Sequence, residues 1–323
     1  MYTKYLTRTE FLDDGYFRIT QPQYLNDPNG EAKFTPFFNK FSDADLKYAY
    51  KLYLSSIFYE GPNISNEFLI QNYLLPTGDR YSIDTFPSLK GFKEFEFYET
   101  MDDFDRFHAT EFINQINSNL RAKLDQSIGI FSLTNSCTSQ QMWLRYGNHG
   151  KGIAISFDSK HDFFIKNPPQ KITYDNNKKA SITFFESMIR INGLLFPNNL
   201  KNPKEVFKYY YDNLDPADLY ERLLLTKTER WSDEEESRII FDLNNHDHQI
   251  LNEDKLIVFK KIPFECFSEL VFGWDTSEDE INKILGQIEK NPALKHLQLR
   301  QVEYGNLEHF DNLIVREFNK KSA

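Results

Sequence analysis

The chain has 323 residues, 40% of them hydrophobic, with only 13 Gly and 13 Pro, so it has material for a sizeable core and is not a low-complexity or collagen-like polymer. Thirty-eight basic against 48 acidic residues give a formal net charge of −10, which argues against any overall attraction to nucleic acid or an anionic membrane. No stretch approaches the ~18 apolar residues of a membrane span, the N-terminus has no apolar signal core, and the two distant cysteines, Cys137 and Cys266, fit free thiols in a reducing compartment; the expectation is a cytoplasmic protein with no membrane contact.

Tyr2–Leu6 reads as a strand, Thr9–Asp14 as a helical turn closed by Gly15, and Tyr16–Thr20 as a second strand. Gln21–Gly30 is dense in the turn formers Pro, Asn, Asp and Gly. Leu46, Ala49, Tyr50 and Tyr53 give Ser42–Tyr59 a helical period. Glu60–Met101 is irregular and reads as a loop-rich insertion or lid, followed by a long amphipathic helix over Phe104–Gln126. Ile128–Leu133 is a buried strand, and Ser139–Tyr146 a short helix capped by Thr138 and stopped by Gly147. Gly152–Asp158 alternates with period two, and Lys171–Asp175 is extended. Ser181–Ile191 and Pro203–Thr228 read as helical, the second broken at Asp215-Pro216, because proline disfavours helix in the residue before it. Strands follow over Glu234–Leu243, Ile257–Lys261, Leu270–Phe272 and Leu297–Tyr304, with a helix between the last two that begins at the Ser277/Glu280 capping box. The economical reading is one α+β domain over 1–323, with a largely antiparallel sheet, flanking helices and an insertion at 60–127.

The most informative segment is Trp231-Ser-Asp-Glu-Glu-Glu-Ser-Arg238. As a strand it would put Glu234, Glu236 and Arg238 on one face, with two carboxylates about 7 Å apart. Like charges held so closely repel unless a cation or a sugar hydroxyl uses them. The plain structural alternative is an ion pair between Glu236 and Arg238. Trp231 fits a packing anchor, and Met142, Trp143 and Tyr146, at helical spacing, fit core. His246-Asp247-His248 falls short of the three or four ligands of a zinc site. Neither the Walker A nor the Rossmann glycine pattern occurs. The glycine-rich Gly147–Gly152 turn joins a helix to a strand and reads as a tight connection.

Several motifs, in order along nearly the whole chain, resemble a bacterial family catalogued as domain of unknown function 2971. They are Tyr5 on the first strand, Leu25-Asn26-Asp27-Pro28, Phe131-Ser132, Met142-Trp143-x-x-Tyr146, Gly152-Ile153-x-Ile155-x-Phe157-Asp158, Lys227-x-x-x-Trp231-Ser232-x-Glu234-x-Glu236-x-Arg238, and Glu269–Gly273. The layout of an early strand, a middle strand with Ser or Thr, and a late strand with Glu-x-Glu is also similar to that of ADP-ribosyltransferases. That similarity implies an enzyme that uses NAD as substrate and cleaves its nicotinamide–ribose bond through an oxocarbenium-like state. Glu236 would stabilise the developing positive charge, and Glu234 would orient an acceptor or share the ribose. Ser132 or Thr134 would bond to the ribose or support Glu236, Tyr5 would form an aromatic wall, and Arg238 would complete the nucleotide-binding set. Lys4 and Arg8 are the cations nearest the first-strand position. The group acceptor would be a protein, a nucleic acid or water, and the bacterial setting fits a toxic NAD-consuming effector in phage defence. Two alternatives stand beside this reading. One is a metal-dependent nuclease, since Glu236-x-Arg238 resembles half of a Glu-x-Lys core. The other is a non-catalytic sensor that binds a partner protein, with the three charged residues as structural ion pairs.

Overall fold

Runs such as Ile128–Thr134 (Ile-Gly-Ile-Phe-Ser-Leu-Thr) mix β-branched and aromatic residues that suit a pleated surface, and the strands they form organise the chain. The computed structural model describes residues 1–27, 31–57, 64–75, 101–185, 188–196, 203–253, 255–306 and 309–318. Most of the segment expected to be a lid, Glu60–Met101, lies outside these, at 60–63 and 76–100. Its described part is helical, with Asn66–Leu69 capped by Ser65 and continuing as a wider turn through Leu74. The class is α+β, as the sequence indicates.

The chain divides into two compact units. The first comprises Met1–Asn26, Leu124–Tyr174 and Glu229–Ala323, and the second Asp27–Lys123 and Asp175–Thr228. The first is built on an eight-stranded sheet. Its strands in chain order are β1 (Tyr2–Leu6), β2 (Ile128–Thr134), β3 (Ile153–Phe157), β4 (Gln170–Lys171), β5 (Glu236–Asp242), β6 (Phe267–Phe272), β7 (Gln298–Asn306) and β8 (His309–Glu317). Across the sheet they run β8-β7-β6-β3-β1-β2-β5-β4. All adjacent pairs with described register are antiparallel except β6 with β7. A three-stranded sheet of Tyr16–Ile19, Lys255–Lys261 and His248–Asn252 also belongs to this unit.

Alternation gives the large sheet two unlike faces. Phe131, Leu133, Ile153, Ile155, Phe157, Ile239, Phe241, Leu270 and Phe272 face one way into a core with Phe17, Ile19 and Ile284. The Ile284 helix, Glu278–Lys290, starts as expected, with Ser277 Oγ accepting from the Glu280 N–H. The other face carries a smaller apolar cluster of Tyr5, Trp143, Ala154, Val271, Val302 and Leu313. Trp143 belongs to the Gln140–Arg145 helix, which is capped by Ser139 rather than the expected Thr138. Gly147, just past the end of this helix, has no room for a side chain, since a Cβ there would lie 2.4 Å from the Trp143 ring.

In the second unit, Ser181–Ile191 is not helical. It forms strands Ser181–Phe185 and Met188–Ile191 of a four-stranded sheet with Thr35–Phe38 and Leu194–Leu195. The apolar positions 182, 185 and 189 fit helical spacing, but β-branched and aromatic residues dominate and an Asn192-Gly193 turn follows, so the strand alternative wins. Helix Asp43–Ile57 starts at a reciprocal cap. The Ser42 N–H donates to Asp45 Oδ2 at 2.7 Å and the Asp45 N–H to Ser42 Oγ at 3.2 Å. The expected break is present, with Asp215 capping Pro216–Leu224 after Pro203–Asn213.

Candidate functional site

The order β1-β2-β5 brings together the three strands that carry the motif residues. Thr3 pairs with Thr134, Thr134 with Glu236, and Ser132 with Arg238. Directly paired residues point to the same side of a sheet, so Thr3, Ser132, Thr134, Glu236 and Arg238 share the face opposite the main core. Tyr5 joins them by alternation along β1. Ser156, whose Oγ lies 3.0 Å from Thr3 Oγ1, extends this polar row onto β3. Five of the six residues named from the sequence as a site therefore lie on one side of one sheet.

Glu236 and Arg238 sit two apart on β5, and their side chains meet. Arg238 Nε donates to Glu236 Oε1 at 2.7 Å and an Arg238 terminal nitrogen to Oε2 at 3.1 Å. The pair is sealed, with Arg238 at 1% and Glu236 at 7% exposure. The Glu236 backbone N–H donates to the Tyr174 hydroxyl at 2.7 Å. Such a two-point contact fixes the plane of the carboxylate.

Glu234 is elsewhere, which corrects the expectation of a shared face. It ends the 3₁₀ turn Glu229–Glu234, and Glu235, at φ +44°, reverses the chain before β5 begins. Glu234 is 2% exposed. Its Oε1 accepts from the Tyr146 hydroxyl at 2.8 Å and lies 3.4 Å from Arg145 Nη1. Arg145 also meets Asp233 at 3.0 Å and lies over the Trp231 ring at 4.8 Å. The Met-Trp-x-x-Tyr and Trp-Ser-x-Glu motifs are therefore two halves of one clamp, and Trp231 serves as a platform for arginine.

Tyr5 is an inner wall. Its ring meets the Trp143 edge at 5.0 Å, its hydroxyl donates to the Ser136 carbonyl at 2.9 Å, and burial pushes its pKa up. Lys4, on the opposite face of β1, lies over the Phe131 ring at 4.5 Å. Beyond Thr134 the neighbour of β2 changes, and Ile130 bonds to Thr20 in both directions at 2.8 Å. Between these two points the Ser132 carbonyl accepts from the Lys4 ammonium at 2.9 Å. Burial lowers the Lys4 pKa from 10.5 to about 8; the nearby Glu236 charge pulls it up and Arg18 pushes it down. Lys4 is thus a cation held on β1, one residue before Tyr5 and on the other face of the sheet. Sequence reasoning missed Tyr146 and Tyr174 as polar partners of the two glutamates, because tyrosine spacing alone does not distinguish a core ring from a hydroxyl donor.

Among the described residues, no group of three or more His, Cys, Asp or Glu side chains is placed to hold a metal ion, and no helix is long and apolar enough to cross a membrane. Residues 142–239 match the model of a family described as "Protein of unknown function (DUF2971)". The match runs from the Met142 motif through Glu234 and Glu236 to Ile239 and bears out the resemblance over that stretch. No curated protein and no solved structure matches the chain.

Proposed function

We propose that the chain cleaves the nicotinamide–ribose bond of NAD, passing ADP-ribose to a macromolecule or to water, at the face shared by β1, β2 and β5. The adjacency of those three strands carries this reading, because it sets Ser132, Thr134 and Glu236 on one face, with Lys4 bonded to the Ser132 carbonyl from the other side of the sheet. In the reaction the bond electrons leave with nicotinamide, and the ribose carbon, now oxocarbenium-like, is taken by the acceptor nucleophile. Glu236 supplies negative charge beside the ribose hydroxyls, which compete for its oxygens with Arg238. Arg238 keeps the carboxylate oriented through its two hydrogen bonds. A toxic effector that depletes NAD is the corresponding biological role.

A second reading is favoured by one observation. Both glutamates are buried and held by other side chains, Glu236 by Arg238 and Glu234 by Tyr146 and Arg145. That is what a non-catalytic binding protein with structural ion pairs would contain. The two readings separate in one assay. Purified protein with NAD and cell extract should release nicotinamide, and Glu236→Gln and Ser132→Ala should each abolish or sharply reduce the release while far-UV circular dichroism stays unchanged. Folded wild-type protein that releases no nicotinamide, or a Glu236→Gln variant as active as wild type, would overturn the enzymatic reading in favour of the second.

A further inference from the structure

The three-stranded sheet of the first unit has a face that the core does not use. Its register sets Ile19 and Gln249 opposite Val258, and Arg18 and His248 opposite Phe259. Directly paired residues share a side of the sheet. Phe17, Ile19 and Val258 belong to the core, so Arg18, Phe259 and His248 point outward, and alternation puts Tyr16, Lys255 and Lys261 with them. All six are exposed or half-buried, so no other described element covers the face.

The charge of this sheet is opposite to that of the chain. The molecule carries a net −10, yet Tyr16–Ile19, His248–Asn252 and Lys255–Lys261 contain no Asp or Glu. Arg18, Lys255 and Lys261 stand exposed on the outer face. The acids at the strand ends have other partners. Asp14 accepts from the Tyr16 N–H at 2.8 Å, and Asp247 accepts from the Lys261 N–H at 2.8 Å and meets Lys260 at 3.2 Å.

Rings lie among the cations. The centre of the His248 ring is 5.4 Å from that of Tyr16 and 5.7 Å from that of Phe259, with planes tilted by 35° and 34°. Lys261 Nζ lies 5.6 Å from the centre of the Tyr16 ring, and Arg18 and Lys255 lie 5.4 and 5.7 Å from that of Tyr24, in the turn beside the sheet. Solvation of a sheet face is met by polar side chains alone and does not call for a file of rings. Cations that meet phosphates, beside rings on which unstacked bases can lie, are what single-stranded nucleic acid requires.

We infer that this face binds single-stranded nucleic acid, with Arg18, Lys255 and Lys261 on the phosphates and the exposed His248 ring, between Tyr16 and Phe259, against the bases. Ile250 and Ile257 share the face, which makes an anionic lipid surface the competing occupant. The rings in file favour the bases. The net charge opposes approach at long range, so recognition rests on these short contacts. The face is independent of the NAD chemistry proposed at β1, β2 and β5.

Fluorescence anisotropy tests this with the full chain and labelled single-stranded RNA and DNA of mixed sequence, about 12 nucleotides long. At least one of the two should bind, with Kd on the order of 1–100 μM. Three phosphate contacts should weaken that binding about twentyfold between ~50 and ~200 mM salt. Lys255→Glu with Lys261→Glu, both exposed, should lower affinity about tenfold or more and flatten the salt dependence. His248→Ala at pH 8, where the imidazole is neutral, should lower affinity about fivefold through lost stacking and leave the salt dependence unchanged. Both variants should keep the wild-type circular dichroism. No binding of either strand at about 100 μM protein, equal affinity for a duplex of the same length, or affinity unchanged in either folded variant would overturn the assignment. Tighter binding to phosphatidylserine vesicles than to either strand would also overturn it and give the face to lipid.

Discussion

Glu236 and Arg238 pair with each other on the same face of the same strand, through two hydrogen bonds of 2.7 and 3.1 Å. Alternation along a strand makes this geometry available at every second residue, but here both groups are nearly free of solvent. Desolvating two charges costs several kcal/mol each, and mutual attraction recovers it only while both partners are present. Arg238→Met should therefore destabilise the protein by about 3–5 kcal/mol, because it removes both hydrogen bonds that Arg238 gives to a buried carboxylate. The double variant Glu236→Met, Arg238→Met should recover most of that loss. Urea unfolding of the two variants and the wild type checks this, and equal loss in the single and double variants would show that the pair is not the unit of stability.

The second glutamate is held differently. Tyr146 donates to Glu234 at 2.8 Å across the boundary between the Gln140–Arg145 helix and the 3₁₀ turn. A hydrogen bond to a charged group is worth about 1.5–3 kcal/mol. Tyr146→Phe keeps the ring and removes that donor, so it should lower unfolding stability by about that amount. Under the proposed NAD chemistry, Glu234 lies outside the β1-β2-β5 face, so nicotinamide release per folded molecule should be unaffected. Loss of activity in a folded Tyr146→Phe protein would instead return Glu234 to the site.

Which of these relationships could be read from sequence follows from how local each one is. Period-two alternation marks β1, β2, β3 and β5 directly, and once the strands are adjacent the face shared by Ser132, Thr134, Glu236 and Arg238 follows from parity. Adjacency itself is a long-range property, and nothing local in Tyr2–Leu6 announces that it will lie between Ile128–Thr134 and Ile153–Phe157. Glu234 was misplaced because a left-handed backbone at Glu235, a residue type that seldom adopts it, leaves no mark in composition. Asn192-Gly193 did leave one. An Asn-Gly pair flanked by apolar residues is a hairpin signal, and it outweighs the helical spacing of Ile182, Phe185 and Ile189. The clamp of Arg145 and Tyr146 on Asp233 and Glu234 joins residues nearly ninety positions apart in sequence, and one sequence without its fold shows only its two halves.

Lys4 gives the site a pH dependence in which stability and chemistry run in opposite directions. Its pKa falls from 10.5 in the open chain to about 8 in the fold, chiefly through burial. Between those values the unfolded chain binds a proton that the folded protein does not, so folding stability rises with pH. The contribution is complete above 10.5 and is lost as pH falls through about 8. The span corresponds to about 3 kcal/mol at 1.36 kcal/mol per unit. Lys4→Met should flatten this rise, which appears as the difference between wild-type and variant unfolding free energies measured from pH 7 to 10.5. Under the proposed NAD chemistry the charged form of Lys4 is the one that complements Glu236, so nicotinamide release should decline as pH rises through about 8 while the fold becomes more stable. Lys4→Arg, which stays charged throughout, should shift that decline to higher pH if it folds. An activity profile that is flat across pH 8 in the wild type would remove Lys4 from the site, and its ammonium would then serve only to satisfy the Ser132 carbonyl where the neighbour of β2 changes.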